Sequence, residues 1–209
     1  MAIYTAKQGT MEYLVAEGIA VPHAFTTRMG GVSRGYLAGL NIGMNRGDAP
    51  ENVVENFRIL GSTLGFAQED LVLTHQIHTD IIRQVTRAEH CGLDHRNYPE
   101  CDGLITNDPG TALVIFTADC TPILLWDSVS GAVGACHAGW RSTAADIAGK
   151  TVRAMQTKLG CNPRNIRAAI GPNLDVCCFE TDSDVPAAML ETFGDAICLI
   201  FAPPKTSFM

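Results

Sequence analysis

At 209 residues, 46% hydrophobic and 18% charged, the chain carries enough apolar material for one sizeable core, which excludes a disordered chain. Its net charge of −7, with 15 scattered Lys and Arg, excludes broad electrostatic binding to nucleic acid or anionic membranes. No apolar run is long enough to span a bilayer, and Met1 to Val15 lacks the basic and apolar regions of a secretory signal, so a cytoplasmic protein is expected. In a reducing compartment the 8 cysteines, irregularly spaced and without a Cys-x-x-Cys pair, read as mostly buried free thiols.

In chain order, Phe25 to Gly43 (FTTRMGGVSRGYLAGLNIG) reads as a strand end followed by a long ordered loop. Glu51 to Leu64 places Val53, Val54, Phe57, Leu60 and Leu64 at helical spacing, with Glu51 in the first turn and Gly65 past the end. Leu71 to Val85, rich in Val, Ile, Leu and Thr, predicts one or two strands, Asp102 to Thr106 another, and Thr111 to His137 two more. Thr143 to Leu159 predicts one amphipathic helix stopped by Gly160. Ile166 to Ile170 is a short strand and Asp184 to Phe193 a helix; after Gly194 a short apolar strand and a frayed tail are expected. Strands in the middle with helices outside them favour an α+β domain with mixed sheets over a regular β-α-β array, and no linker divides the chain.

Three segments concentrate reactive side chains: His75 to His78, Thr117 to Cys120, and Cys136 to Arg141. Zinc takes neutral imidazoles and thiolates, and a catalytic site commonly keeps three protein ligands and an open position. A hairpin turning at Asp127 to Gly131 and centred between Ser128 and Val129 would pair Cys120 directly with His137. Directly paired residues share a face, with Cβ atoms about 5 Å apart, close enough to share a metal. For a third ligand, His75 and His78 compete; on a strand they would point to opposite faces, and pattern alone leaves the choice open. The same thiol and imidazole would also suit a cysteine nucleophile with a histidine base.

The segments TTRMGGVSRGYLAGLNIG, HQIH, CDGLIT, TADCTPILL, HAGWRS and IGPNLDVCCFE, in this order, strongly resemble the YfiH family. These laccase-domain proteins are also called peptidoglycan editing factors and purine nucleoside phosphorylases. The resemblance runs from about Phe25 to Glu180. It implies a layered α/β/β/α fold with mixed β-sheets, a cytosolic monomer, and zinc held by His78, Cys120 and His137, with copper as the alternative metal. It further implies phosphorolysis of adenosine, inosine and S-methyl-5'-thioadenosine, with purine nucleosides and phosphate as partners and adenosine deamination as a second activity.

Cys120, His137 and Arg28 would then be the catalytic set. Arg28 would contact phosphate through its guanidinium, or else clamp its own loop. Asn41 and Gln76 are polar residues placed to contact substrate, or to close loop and strand-end hydrogen bonds. Copper-dependent polyphenol oxidation and a hydrolase editing peptidoglycan precursors are the competing activities. A multicopper centre needs many histidines; this chain has 6 and no His-x-His pair. Against the family pattern, Ser142 and Thr79 each stand where glycine is usual and Phe179 where tyrosine is, while Cys177 and Cys178 are retained. The single domain expected over residues 1–209 is shortened at its C-terminus, since the family pattern continues into a Phe-x-Ser-x-Arg-Arg segment.

Overall fold

The computed structural model describes residues 2–93 and 98–194; the strand and tail expected after Gly194 lie outside them. An antiparallel hairpin opens the chain, β1 (Ile3–Gln8) and β2 (Met11–Ala16), turning at Gly9 with φ +59. The sequence pattern assigned no element here. β3 (Phe25–Thr26) adds to β2, and the chain then runs through the expected long loop into α1 (Pro50–Leu64). Proline suits the first helical turn, where its missing N–H would have no partner, and Gly65 at φ +82 terminates the helix.

Two short strands, β4 (Leu71–Val72) and β7 (Ala112–Leu113), pair in parallel. The larger sheet orders β10 (Ile166–Ile170), β8 (Thr121–Asp127), β9 (Val133–Ala138), β6 (Gly103–Thr106) and β5 (Ile82–Gln84). Only its β5–β6 pair is parallel, so the sheet is mixed.

Alternation along two strands stacks the layers. Leu71 and Leu73 pack with Val53, Phe57 and Leu60 of α1. Val72, pointing the opposite way, meets Leu104 of β6. The next residue of β6, Ile105, faces away again, toward Ile147 and Met155 of α3 (Ile147–Leu159). The order is therefore α1, small sheet, large sheet, α3, the layered α/β/β/α fold expected, because successive strand residues present opposite faces.

Three local expectations are corrected. The helix expected over Thr143 to Leu159 is two, α2 (Trp140–Ala144) and α3. Asp146 separates them at φ +59, its side chain accepting from Gly149 N, because aspartate caps a helix better than it sits inside one. Thr111 to His137 holds three strands, the additional one being β7 in the small sheet.

The hairpin register also differs. The Asp127 carboxylate accepts from Val129 N and Ser130 N, and Gly131 takes φ +76. The turn is thereby centred between Val129 and Ser130, and the ladder pairs His137 with Pro122. Cys120 lies two residues before Pro122, an offset that preserves the face where a slip of one would have reversed it. Last in the described chain, α4 (Asp184–Phe193) packs Val185 and Met189 against Trp140 and Ala144.

Candidate metal centre

β9 delivers His137 from a fully ordered ladder, and the ring is buried at 4% exposure. Its Nδ1 lies 2.7 Å from Asp102 Oδ1, which favours a proton on Nδ1 and leaves Nε2 as the nitrogen with a lone pair to offer. Cys120 arrives on the bend just before β8. Burial pushes its thiol pKa up, and the charges of Asp119 and Asp102 push in the same direction.

His78 does not sit on a strand. The chain between β4 and β5 leaves regular pairing apart from a bridge of His75 to Glu100, so the argument from strand alternation does not apply here. His78 stands at φ +60, an uncommon conformation for a residue with a Cβ. The Asp102 carboxylate holds it there, accepting from three successive backbone amides, Ile77 at 3.1 Å, His78 at 3.1 Å and Thr79 at 2.8 Å. Three amides curled onto one carboxylate compensate for the local backbone cost.

These elements bring His78, Cys120 and His137 together, with one donor atom from each within 4.8 Å of the others. Cys120 Sγ lies 3.9 Å from His78 Nε2, and the two rings meet edge to face at 4.9 Å. Donors around a tetrahedral zinc would be roughly 3.3–3.6 Å apart, so a modest contraction would seat one. Gly139 keeps the space: a Cβ there would lie 2.7 Å from His78 Cδ2 and 3.2 Å from Cys120 Sγ. Two imidazoles and a thiol fit zinc and also fit copper. His75 is not part of the cluster; its carbonyl accepts from Cys101 N.

The trio opens onto a groove of about 1440 Å3 that Arg28, Asn41 and Gln76 also line, larger than one nucleoside needs. Each of the three polar residues has an internal engagement. Arg28 donates from Nη2 and Nε to the Ala38 carbonyl, at 2.8 and 3.3 Å, across its own loop. Asn41 donates to Asp48 Oδ2 and accepts from Gly43 N. Gln76 donates to Phe116 O at 2.6 Å and accepts from Phe116 N at 2.7 Å, stitching the His75–His78 segment to the chain leading to Cys120.

Asp102 is the residue at this cluster that sequence reasoning missed. It was read as the start of a strand and as part of the CDGLIT motif, with no role given to its side chain; the signal lay in the β6–β9 ladder, whose pairing of Gly103 with Cys136 sets Asp102 opposite His137.

A family model described as multi-copper polyphenol oxidoreductase laccase matches residues 22–207. A purine nucleoside phosphorylase of Deinococcus radiodurans is 45% identical over 83% of this chain and 65% of its own length. The purine nucleoside phosphorylase YlmD of Geobacillus stearothermophilus is 39% identical over 80% of this chain and 62% of its own. The chain thus spans less than two thirds of these relatives. The crystal structure of Geobacillus stearothermophilus YlmD superposes with a TM-score of 0.83 at 34% identity, covering 96% of this chain and 73% of that one. Bacillus licheniformis YfiH superposes with a TM-score of 0.79 at 33% identity, covering 86% and 68%.

Proposed function

The chain belongs to the YfiH, laccase-like family, and from that premise we propose that it is a zinc-dependent purine nucleoside phosphorylase acting on adenosine, inosine and S-methyl-5'-thioadenosine, with adenosine deamination as a second activity. The observation that carries the reading is the His78, Cys120 and His137 cluster, backed by Asp102 and open to a groove. Zinc held by this trio would supply Lewis-acid polarisation of an oxygen at the reacting centre.

The chain's own residues supply the rest. Asp102 keeps the His137 proton on Nδ1 and fixes the backbone that carries His78. The groove receives the nucleoside, its apolar wall at Ile115 and Phe116 offering contact to a purine face. Arg28, at the same groove, holds phosphate by its guanidinium while remaining anchored to the Ala38 carbonyl. Asn41 and Gln76, already bonded to protein, act on substrate by holding the groove's shape and by whatever lone pairs those bonds leave.

Two other readings make different demands. A copper polyphenol oxidase, the reading closest to the family description, calls for several copper positions, whereas the described residues gather one cluster of three donors. A cysteine hydrolase of peptidoglycan precursors calls for a free thiol nucleophile at Cys120 and needs no metal, whereas the zinc reading uses that sulfur as a ligand beside two imidazoles.

The test is chromatography of products after incubating the zinc-loaded chain with adenosine, with and without phosphate. Adenine and ribose 1-phosphate only in the presence of phosphate is the expected result, and inosine in both incubations marks the deaminase activity. Absence of phosphorolysis of all three nucleosides, with stoichiometric zinc bound, would overturn the proposal.

A further inference from the structure

Cys177 and Cys178 are adjacent in the segment that follows β10, both exposed, with their sulfurs 3.3 Å apart. No other described cysteine is like them. Cys101, Cys136 and Cys161 are buried, and burial pushes the Cys136 thiol up to about 11. Cys91 is half-buried, with its sulfur on the Leu71 carbonyl, and Cys120 belongs to the metal cluster. A tight turn presents the pair: Asp175 Oδ1 accepts from Val176 N, and Asp175 O accepts from Cys178 N and Phe179 N.

Two exposed thiols in contact have one chemistry that buried or isolated thiols lack, ring closure. Neighbouring Cα atoms are about 3.8 Å apart across a trans peptide, short of the usual span of about 4.4–6.8 Å for a disulfide. A bond between them is therefore strained, and strained, exposed disulfides are the readily reduced ones. It would enclose almost no chain, so it could not serve as a stabilising staple. Accessibility, proximity and strain together describe a redox-labile modification site.

We propose that Cys177 and Cys178 form a reversible vicinal disulfide by exchange with a low-molecular-weight disulfide of the oxidised-glutathione class. One cysteine, as thiolate, attacks a sulfur of the small disulfide; a mixed disulfide forms and one small thiolate leaves. The second cysteine loses its proton to solvent and attacks the protein sulfur of that mixed disulfide, releasing the second small thiolate. The two protein thiols are oxidised by two electrons, and the small disulfide is reduced to two thiols. The proposal is independent of the metal reading, although the same segment is tied to the bend that carries Cys120 by Leu174 N donating to Asp119 O at 2.9 Å.

The test uses the full reduced chain, equilibrated with oxidised and reduced glutathione, alkylated with iodoacetamide, digested and weighed. The peptide holding Cys177 and Cys178 is expected to lose two hydrogens and to resist alkylation at both sulfurs until dithiothreitol is added. Cys177→Ser and Cys178→Ser, both at exposed positions, are each expected to stop at a stable mixed disulfide with glutathione. Two glutathionyl groups on the wild-type pair, or two alkylated sulfurs at strongly oxidising ratios, would overturn the proposal.

Discussion

Asp102 reaches both histidines at once, one through an imidazole and the other through the backbone, while being fully buried. A carboxylate in that position orients a metal-binding imidazole, and replacing it commonly weakens metal binding on the order of 10- to 100-fold. Asp102→Asn is therefore expected to weaken zinc binding by that order in chelator competition, with little change in far-ultraviolet circular dichroism. Unchanged affinity would remove Asp102 from the site. The proposed zinc ligands are tested by removal: His78→Ala, Cys120→Ala and His137→Ala should each abolish stoichiometric zinc, whereas His75→Ala should retain it. Loss of zinc in His75→Ala alone would reassign the third ligand. The motifs singled out these donor residues but gave Asp102 of CDGLIT no role, because that role depends on which strand lies beside β9.

At the scale of elements, the loop from Arg28 to Asp48 is held by side chains. Asn56, buried in α1, accepts from Val32 N and donates to Ser33 Oγ and Asn41 O. Asp48 accepts from Ser33, Asn41 and Asn52, and those hydrogen bonds, Ser33's the largest, lower its pKa from 3.8 to about 2. A depressed carboxylate stabilises the fold above its unfolded value and loses that contribution as pH falls through its folded one. The stability gap between wild type and Asp48→Asn should therefore be constant above pH 3.8 and close as pH falls to about 2, measured by urea denaturation across that window. A gap that persists at the acid end would locate the effect elsewhere.

The break between α2 and α3 has its own test. Asp146 caps α3 and pairs with Arg153 at 2.8 Å while standing at φ +59. Alanine there loses the cap and keeps the unfavourable backbone, so Asp146→Ala should cost about 1–2 kcal/mol in denaturant unfolding. Asp146→Gly, freed of the backbone penalty, should lose less. The sequence showed a helical period running through this point because side-chain spacing persists across a one-turn break; only the capping geometry reveals it.

Across the whole molecule, α1 and α3 cover opposite outer faces, and Phe57 and Met155 are the largest side chains that each buries fully. Met155 packs over Gly134 of β9, where a Cβ would come within 3.2 Å of its sulfur. Truncating either to alanine should cost about 2–5 kcal/mol, read as a lower denaturation midpoint. The two costs should add, since the sites lie in separate clusters. Non-additivity would show that the layers are coupled through the sheets.

What the sequence determined by itself was local or compositional. Apolar periodicity marked α1 and the stretch that holds α3, runs of Val, Ile and Leu marked the sheet strands, and motif order identified the family and named the donor residues. Those features depend on neighbours along the chain, whose spacing is fixed by covalent geometry. The tertiary structure alone decided the rest. It set the hairpin register, because a side-chain cap on the turn outweighed the symmetric reading. It placed His78 off any strand, because a carboxylate 24 residues away offered its backbone three acceptor contacts. It joined β4 to β7 and built the N-terminal hairpin, because pairings between short strands are chosen by the apolar faces they bury together, a property that no stretch of sequence carries alone.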